Sequence, residues 1–282
     1  EGFMSTRKLV THLIAAALCL GPVSGNALAS EIADTIYRGG PILTMADAAQ
    51  RAESVAVKDG RILAVGPADA VETFRGAATK TVELDGRALL PGFVDSHGHV
   101  VMGGLQALAA NLLSPPDGEV KDIASLQKTL LDWVAANPEA GKPGGMIIGF
   151  GYDPAQLTEL RHPTRDDLDR VSTDVPVITI HQSGHFGALN SKALELAGLS
   201  GETPDPAGGI IRRQANGEPD GVLEENAFLG ALAGLFKGLR PEHFEAFARA
   251  GGKLWARYGY TTAQEGRAMP DTAAIARKVG AE

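Results

Sequence analysis

The stretch PGFVDSHGHV, residues 91–100, sets His97 and His99 one residue apart at the end of an apolar run, in a chain with only seven histidines. On a strand, residues i and i+2 project to the same side. This spacing therefore puts two imidazoles on one face, with Gly98 between them and Asp95 in phase beneath. Leu89, Leu90, Phe93 and Val94 make the approach read as a buried strand. Two convergent imidazoles at the C-terminal end of a buried parallel strand begin a zinc-type site, and α/β barrels carry their chemistry at that end. The competing reading is a hydrogen-bonded structural pair. The apolar lead-in, Asp95 and Gly98 together favour the ligand strand.

Upstream of this stretch the pattern is β. TIYRGGPILTM (35–45) alternates, and two apolar runs flank Asp59-Gly60, the strongest short-range hairpin signal. Asp85-Gly86 repeats the idea, so 30–90 reads as a small antiparallel β-sandwich segment. Further upstream, Met4–Lys8 is basic, an apolar stretch follows, and Ala27-Leu28-Ala29 offers a small-x-small site. Residues 4–29 thus read as a secretory signal peptide cleaved after Ala29, with Glu1-Gly2-Phe3 as an upstream scar. The apolar stretch is too short and broken to span a bilayer. The expectation is an exported, periplasmic or secreted protein with no stable membrane anchor after cleavage; an uncleaved anchor or a buried helix is the alternative.

Downstream, strands alternate with helices, which indicates βαβ units and a parallel sheet. MIIGFGYD (146–153), VPVITIHQSGH (175–185) and YGYTTAQEG (258–266) read as strands. Helical spacing runs through 120–138, 164–172, 190–199 and 241–257, with Thr164 and Asn190 as caps. Residues 201–221 form a Gly/Pro/Asp-rich excursion, too long for a plain connection.

Composition narrows the function. The charge is −8, no Lys/Arg run occurs and aromatics are 5%, which argues against a nucleic-acid partner. The single cysteine, Cys19, lies inside the signal segment, with Leu18 where a lipidation signal wants a small residue. Cysteine–zinc sites, cysteine nucleophiles and disulfides are thereby excluded from the mature chain.

The matching stretches PGFVDSHGHV, IIGFGYDPAQL, HPTRDDLDRVSTDVPVITIHQSGHFGALNSKAL, GGIIRRQANGEPDGVLEENA and YGYTTAQEG run in order through 35–266. This arrangement resembles the amidohydrolase superfamily, amidohydrolase family 3, a family of exported and cytosolic hydrolases that includes N-substituted formamide deformylase. The resemblance implies a metal-dependent hydrolase whose (β/α)8 TIM barrel follows a β-sandwich segment, with 91–282 supplying barrel strands one to three. It implies His97 and His99 as metal ligands, and Asp95, His181, His185 and Glu265 as residues that contact substrate or support the ligands. For His185 a bond to the turn before Asn190 is the plain alternative; for Glu224 and Glu225 it is a solvated helix start. The implied cofactor is a divalent metal, taken as Zn2+, one or two ions. The implied partner is a small-molecule amide, a linear amide or N-substituted formamide, with cyclic amides or esters as an alternative.

The family's bridging lysine, later histidines and strand-eight aspartate have no match here. Lys253 and Lys278 lack a strand context, and His162 and His243 read as loop or helix start. The expectation is a truncated barrel, inactive alone, whose catalytic Asp and bridging Lys lie beyond residue 282. The competing class is a non-catalytic remnant or binding module.

Overall fold

The computed structural model describes residues 31–282 apart from Met269. The expected signal peptide and its cleavage site lie outside the described residues. These residues fall into two compact units that divide after Pro91.

In the first unit, β1 (Thr35–Leu43) pairs antiparallel with β2 (Arg51–Lys58), and β2 with β3 (Arg61–Gly66). Asp59 (φ +49°) and Gly60 (φ +72°) make the two-residue hairpin turn that their identities dictate, with Lys58 opposite Arg61. The short helix α1 (Ala68–Glu72) then carries the chain across to β4 (Lys80–Glu83), which lies parallel to β1. The result is one mixed sheet of order β3-β2-β1-β4, not the two facing sheets of a sandwich. The crossover is the reason: β4 extends the existing sheet instead of opening a second one. Asp85-Gly86 turns as well, but it leads to Leu89, which bridges parallel to Ile42, so no second hairpin forms. Ile36, Ala56 and Val71 fill one face of this sheet, and Ile42, Val55 and Leu84 gather in a separate cluster.

The second unit opens with β5 (Phe93–Val94) and α2 (Val100–Leu108), followed by β6 (Ala110–Asn111) and α3 (Ile123–Ala136). Then come β7 (Ile147–Tyr152), α4 (Arg165–Asp169), β8 (Val177–His181), β9 (Phe186–Leu189) and α5 (Ser191–Ala197). The excursion resolves into β10 (Gly209–Arg213) and β11 (Pro219–Glu225). The chain continues through α6 (Asn226–Leu235), α7 (Pro241–Arg257), β12 (Tyr260–Thr262) and α8 (Pro270–Gly280). A six-stranded sheet has the order β10-β11-β9-β8-β7-β6, parallel from β6 to β8 and antiparallel beyond. Its period-2 alternation sorts Val177, Ala188 and Val222 into one core with α3, and Ile178, Leu189 and Leu223 into another with α5 and α6.

β5 does not belong to that sheet. It pairs parallel with β12 alone, in a separate two-stranded sheet. The expectation that β5, β8 and β12 are successive strands of one barrel is therefore corrected: β8 lies in a different sheet, and no closed barrel occurs among the described residues. Phe93 and Val94 are 49% and 69% exposed, so the approach to the histidines is not a buried strand. Its one strand neighbour, three-residue β12, covers little of it beyond the Phe93–Tyr260 ring contact.

Helices α2 and α7 bracket the intervening chain and touch backbone to backbone. A Cβ on Gly104 would lie 1.7 Å from the Phe247 carbonyl oxygen, and one on Gly251 would lie 1.9 Å from that of Val100. No helix among the described residues is long and apolar enough to cross a membrane.

Candidate metal and substrate site

The loop from β5 into α2 carries Asp95, His97 and His99. Asp95 accepts hydrogen bonds from the His97 backbone N–H (3.2 Å), the Trp255 indole N–H (2.7 Å) and the Gln264 N–H (3.2 Å). Chiefly the indole bond, helped by the two backbone donors and the nearby His97, holds its carboxyl below the usual aspartate range. Gly98 is required by contact, since a Cβ there would stand 2.0 Å from Asp95 Oδ2.

The two imidazoles meet edge to face, with ring centroids 5.3 Å apart at 86°. Gly266 donates its N–H to the Gly98 carbonyl at 2.7 Å. A Cβ on Gly266 would lie 3.2 and 3.3 Å from the Cε1 atoms of His99 and His97. A bare backbone at Gly266 thus leaves room for both rings. His99 Nδ1 lies 3.3 Å from Glu265 Oε1, and the Glu265 carboxylate also accepts from the N–H groups of Val101 (2.9 Å) and Arg267 (3.1 Å). A carboxylate only accepts, so this contact places the proton on Nδ1 and leaves Nε2 of His99 free to ligate. Glu265 is the residue that orients a candidate ligand. His97 is exposed.

A cavity of about 480 Å³ opens beside these groups. His99, Glu265 and His185 are among its polar walls, and Phe150, Phe247 and Trp255 among its apolar ones. The structure thus brings His99, His185 and Glu265 together, with Asp95 behind Trp255. His181 does not line this cavity. On an unbroken strand, His181 and His185 would share a face, but a turn at 182–185, with Gly184 at φ +73°, reverses the chain between them. His181 turns instead toward Tyr152 and Phe186, ring centroids 5.6 and 5.5 Å away, and its Nδ1 bonds Ser183 Oγ at 2.8 Å. Burial holds His181 below the usual histidine value, against the opposing charge of Asp153. His162, beside it, shares a hydrogen bond of 2.9 Å between its Nδ1 and the Tyr152 hydroxyl. Burial first, then the charges of Arg212 and His181, push its pKa down to about 4. His243 takes the helix-start role expected of it, accepting the Arg240 N–H at 2.9 Å.

Asn190 caps α5 as expected, and it does more. Fully buried, it accepts from the N–H groups of Val177 and Ala193 and donates to the carbonyls of Ser172 and Val175. Glu224 lies in β11, whereas Glu225 is both the exposed last residue of that strand and the N-cap residue of α6, as the helix-start reading has it. Glu224 pairs with Arg212 at 2.6 Å, and Glu225 takes the His185 Nδ1–H at 2.8 Å.

Sequence reasoning missed Trp255, and it singled out Glu225 without its partner. For Trp255 a signal existed: Phe247, Gly251 and Trp255 recur every four residues and so share the α7 face turned to α2. For the pairing of Glu225 with His185 none did, because the two lie forty residues apart in the chain.

Among the described residues no three His, Cys, Asp or Glu side chains converge as a metal cage. Two imidazoles, one of them oriented by a carboxylate, fit part of the coordination of a divalent cation.

Comparison with known proteins bears on these groups. The chain resembles an uncharacterized metal-dependent hydrolase of Pyrococcus horikoshii OT3, with a TM-score of 0.59 at 21% identity over 87% of this chain and 45% of that one; this is a likeness of fold. A candidate amidohydrolase of Bacillus subtilis (strain 168), YtcJ, is 36% identical over 197 residues, covering 68% of this chain and 35% of that protein. N-substituted formamide deformylase of Arthrobacter pascens is 32% identical over 176 residues, covering 62% and 31%. The chain thus spans about a third of the length of these two relatives. The amidohydrolase family model matches residues 80–282, a stretch that takes in His97, His99, His185 and Glu265, and on that match the chain belongs to the amidohydrolase family.

Proposed function

We propose that this chain carries the metal-anchoring and substrate-lining part of a hydrolase that cleaves carbon–nitrogen bonds other than peptide bonds. Its substrates are small linear amides or N-substituted formamides. Its metal is a divalent cation, Zn2+, held by His97 and His99, and the protein works after export. The observation that carries the reading is the contact of His97 with His99, which lines an apolar cavity and whose proton Glu265 fixes. A bound divalent cation supplies a water whose pKa is lowered toward neutrality and a polarised carbonyl. The protein groups do the rest. His97 and His99 offer ring nitrogens, Asp95 ties their loop to α7 and β12, and Phe150, Phe247 and Trp255 give an apolar substituent a dry wall.

The described residues supply two ligands and no acceptor assigned to take a proton from water. This favours a companion reading, in which the chain binds metal and ligand without turning substrate over. Metal content of the purified chain, measured with His97→Ala and His99→Ala, tests the site. Zinc retained by the unaltered chain and lost in both variants is expected; equal zinc in all three sinks the ligand assignment. Amide turnover by the chain alone would rule out the companion reading.

A further inference from the structure

The turn that lines the cavity between β8 and β9 is held from two directions. From the end of β7 and the residue after it, the Tyr152 carbonyl accepts the Gln182 backbone N–H at 3.0 Å and Asp153 accepts the Gln182 side-chain N–H at 2.6 Å. Within the turn, Ser183 Oγ meets His181 Nδ1 at 2.8 Å and accepts the His185 N–H at 3.2 Å. From β11, the Glu225 N–H donates to the His185 carbonyl at 2.8 Å, while the Glu225 carboxylate takes the His185 ring N–H at the same distance. Glu225 makes both bonds from a sparsely populated backbone conformation, φ +51° and ψ −122°. A non-glycine residue persists there only where its surroundings enforce it.

These contacts assign the imidazole. The Glu225 carboxylate can only accept, so Nδ1 carries the proton, and Nε2 of the neutral ring is a bare acceptor. Nε2 has no protein partner among the described residues. Of the polar groups in the same wall, Gln182 donates to Asp153, Ser183 is tied within the turn, and Glu265 accepts from His99, Val101 and the Arg267 backbone, while Gln106 and Arg267 also line the cavity. The His185 side chain is 49% exposed, so a ligand that seats over Nε2 takes it out of water, and one that brings a donor replaces the bond that is lost.

We propose that His185, positioned by Glu225, reads the N–H of an amide in this cavity. The site therefore takes secondary amides in preference to esters and N,N-disubstituted amides of similar size. The inference rests on the proposed hydrolytic reading only in taking an amide as the occupant.

The test uses the full chain and two probes of equal size, N-butylacetamide and butyl acetate, which differ by one N–H. Imidazole 15N correlations should show His185 as the Nδ1–H tautomer, with N-butylacetamide shifting its ring nitrogens. The ester is less hydrated and gains more from an apolar wall, so the preference is read against His185→Phe, which keeps an aromatic ring and loses the acceptor. Relative to that baseline the amide should be favoured about fivefold, the net worth of one hydrogen bond. Glu225→Leu removes the acceptor that holds the proton on Nδ1, lets the ring take up the Nε2–H form and should remove the preference. An Nε2–H tautomer in the unaltered chain, equal preference in the unaltered chain and His185→Phe, or binding of neither probe overturns the proposal. The hydrolytic reading fails separately, on zinc content at His97 and His99. Loss of that reading with the amide preference intact leaves the present inference standing, and the reverse holds equally.

Discussion

Two adjacent glycines in α7 should respond in opposite directions to the same substitution. Gly252 has no atom within 4 Å of where a Cβ would stand, so Gly252→Ala meets no obstacle and gains the helical preference of alanine, about 1 kcal/mol. Gly251 faces α2, and its Cβ would lie 1.9 Å from the Val100 carbonyl oxygen and 2.9 Å from the carbonyl carbon. Restoring an ordinary contact of 3.4 Å means parting the two backbones by about 1.5 Å (3.4 minus 1.9), since a helical carbonyl cannot rotate aside. A gap of 0.5–1 Å already forfeits about a quarter to a half of a contact's dispersion energy. The displaced side chains include Leu105 and Phe247, which belong to the core on that side of the sheet. Overpacking of this kind costs about 1–3 kcal/mol, and the rigid obstacle puts Gly251 at the upper end. After the propensity gain the net loss is about 2 kcal/mol, so the two variants should differ by about 3 kcal/mol. Urea denaturation followed by tryptophan fluorescence reads the difference directly. Equal stability of Gly251→Ala and Gly252→Ala would refute the close helix contact.

Three further outcomes follow from other groups. His162 titrates near 4 in the folded chain against 6.5 ordinarily, so its contribution is complete above pH 6.5 and drains away as the pH falls toward 4. Discounted for its partial exposure, the loss is about 1–2 kcal/mol; urea midpoints against pH should show it, and His162→Phe should flatten that slope. Asn190→Ala strands two backbone N–H groups and two carbonyls in the interior and should cost about 3 kcal/mol or more in the same assay, whereas an ordinary helix cap is worth about 1 kcal/mol. Glu265→Gln should weaken zinc binding by about 10- to 100-fold without removing it, measured by competition with a chromophoric chelator.

Local chemistry was legible in the sequence, and long-range pairing was not. Asp59-Gly60 specified its hairpin because both residues accept positive φ, and Asn190 specified its cap because its side chain competes for backbone N–H groups. His97 and His99 were legible as a pair, and the resemblance pointed to Glu265 as well. The partner of β5 was hidden, because nothing in a two-residue strand encodes which of several later strands it joins. Helix α2 was hidden by Gly103 and Gly104, which blank the apolar stripe at the positions where α7 comes closest. His185 lines the cavity as expected but His181 does not, for a physical reason: the period-2 rule holds only while the strand continues, and β8 ends at His181.

The β5–β12 pairing also has a kinetic consequence. It joins Val94 to Thr262 and Phe93 to Tyr260, and from Val94 to Tyr260 the chain runs 166 residues (260 minus 94). Closing a featureless loop of that length costs about 4.5 kcal/mol in chain entropy, far more than two residues of strand return. The six-stranded sheet must therefore form first and draw the ends together, with α2 and α7 as the clasp. Local opening follows the same order in reverse, because strands that are short, exposed and non-local release at the lowest free energy. In hydrogen exchange the amides of Phe93 and Asp95, bonded to Gly259 and Thr262, should lose protection well before those of β7 and β8. The histidines stand on the part of the molecule that assembles last and loosens first.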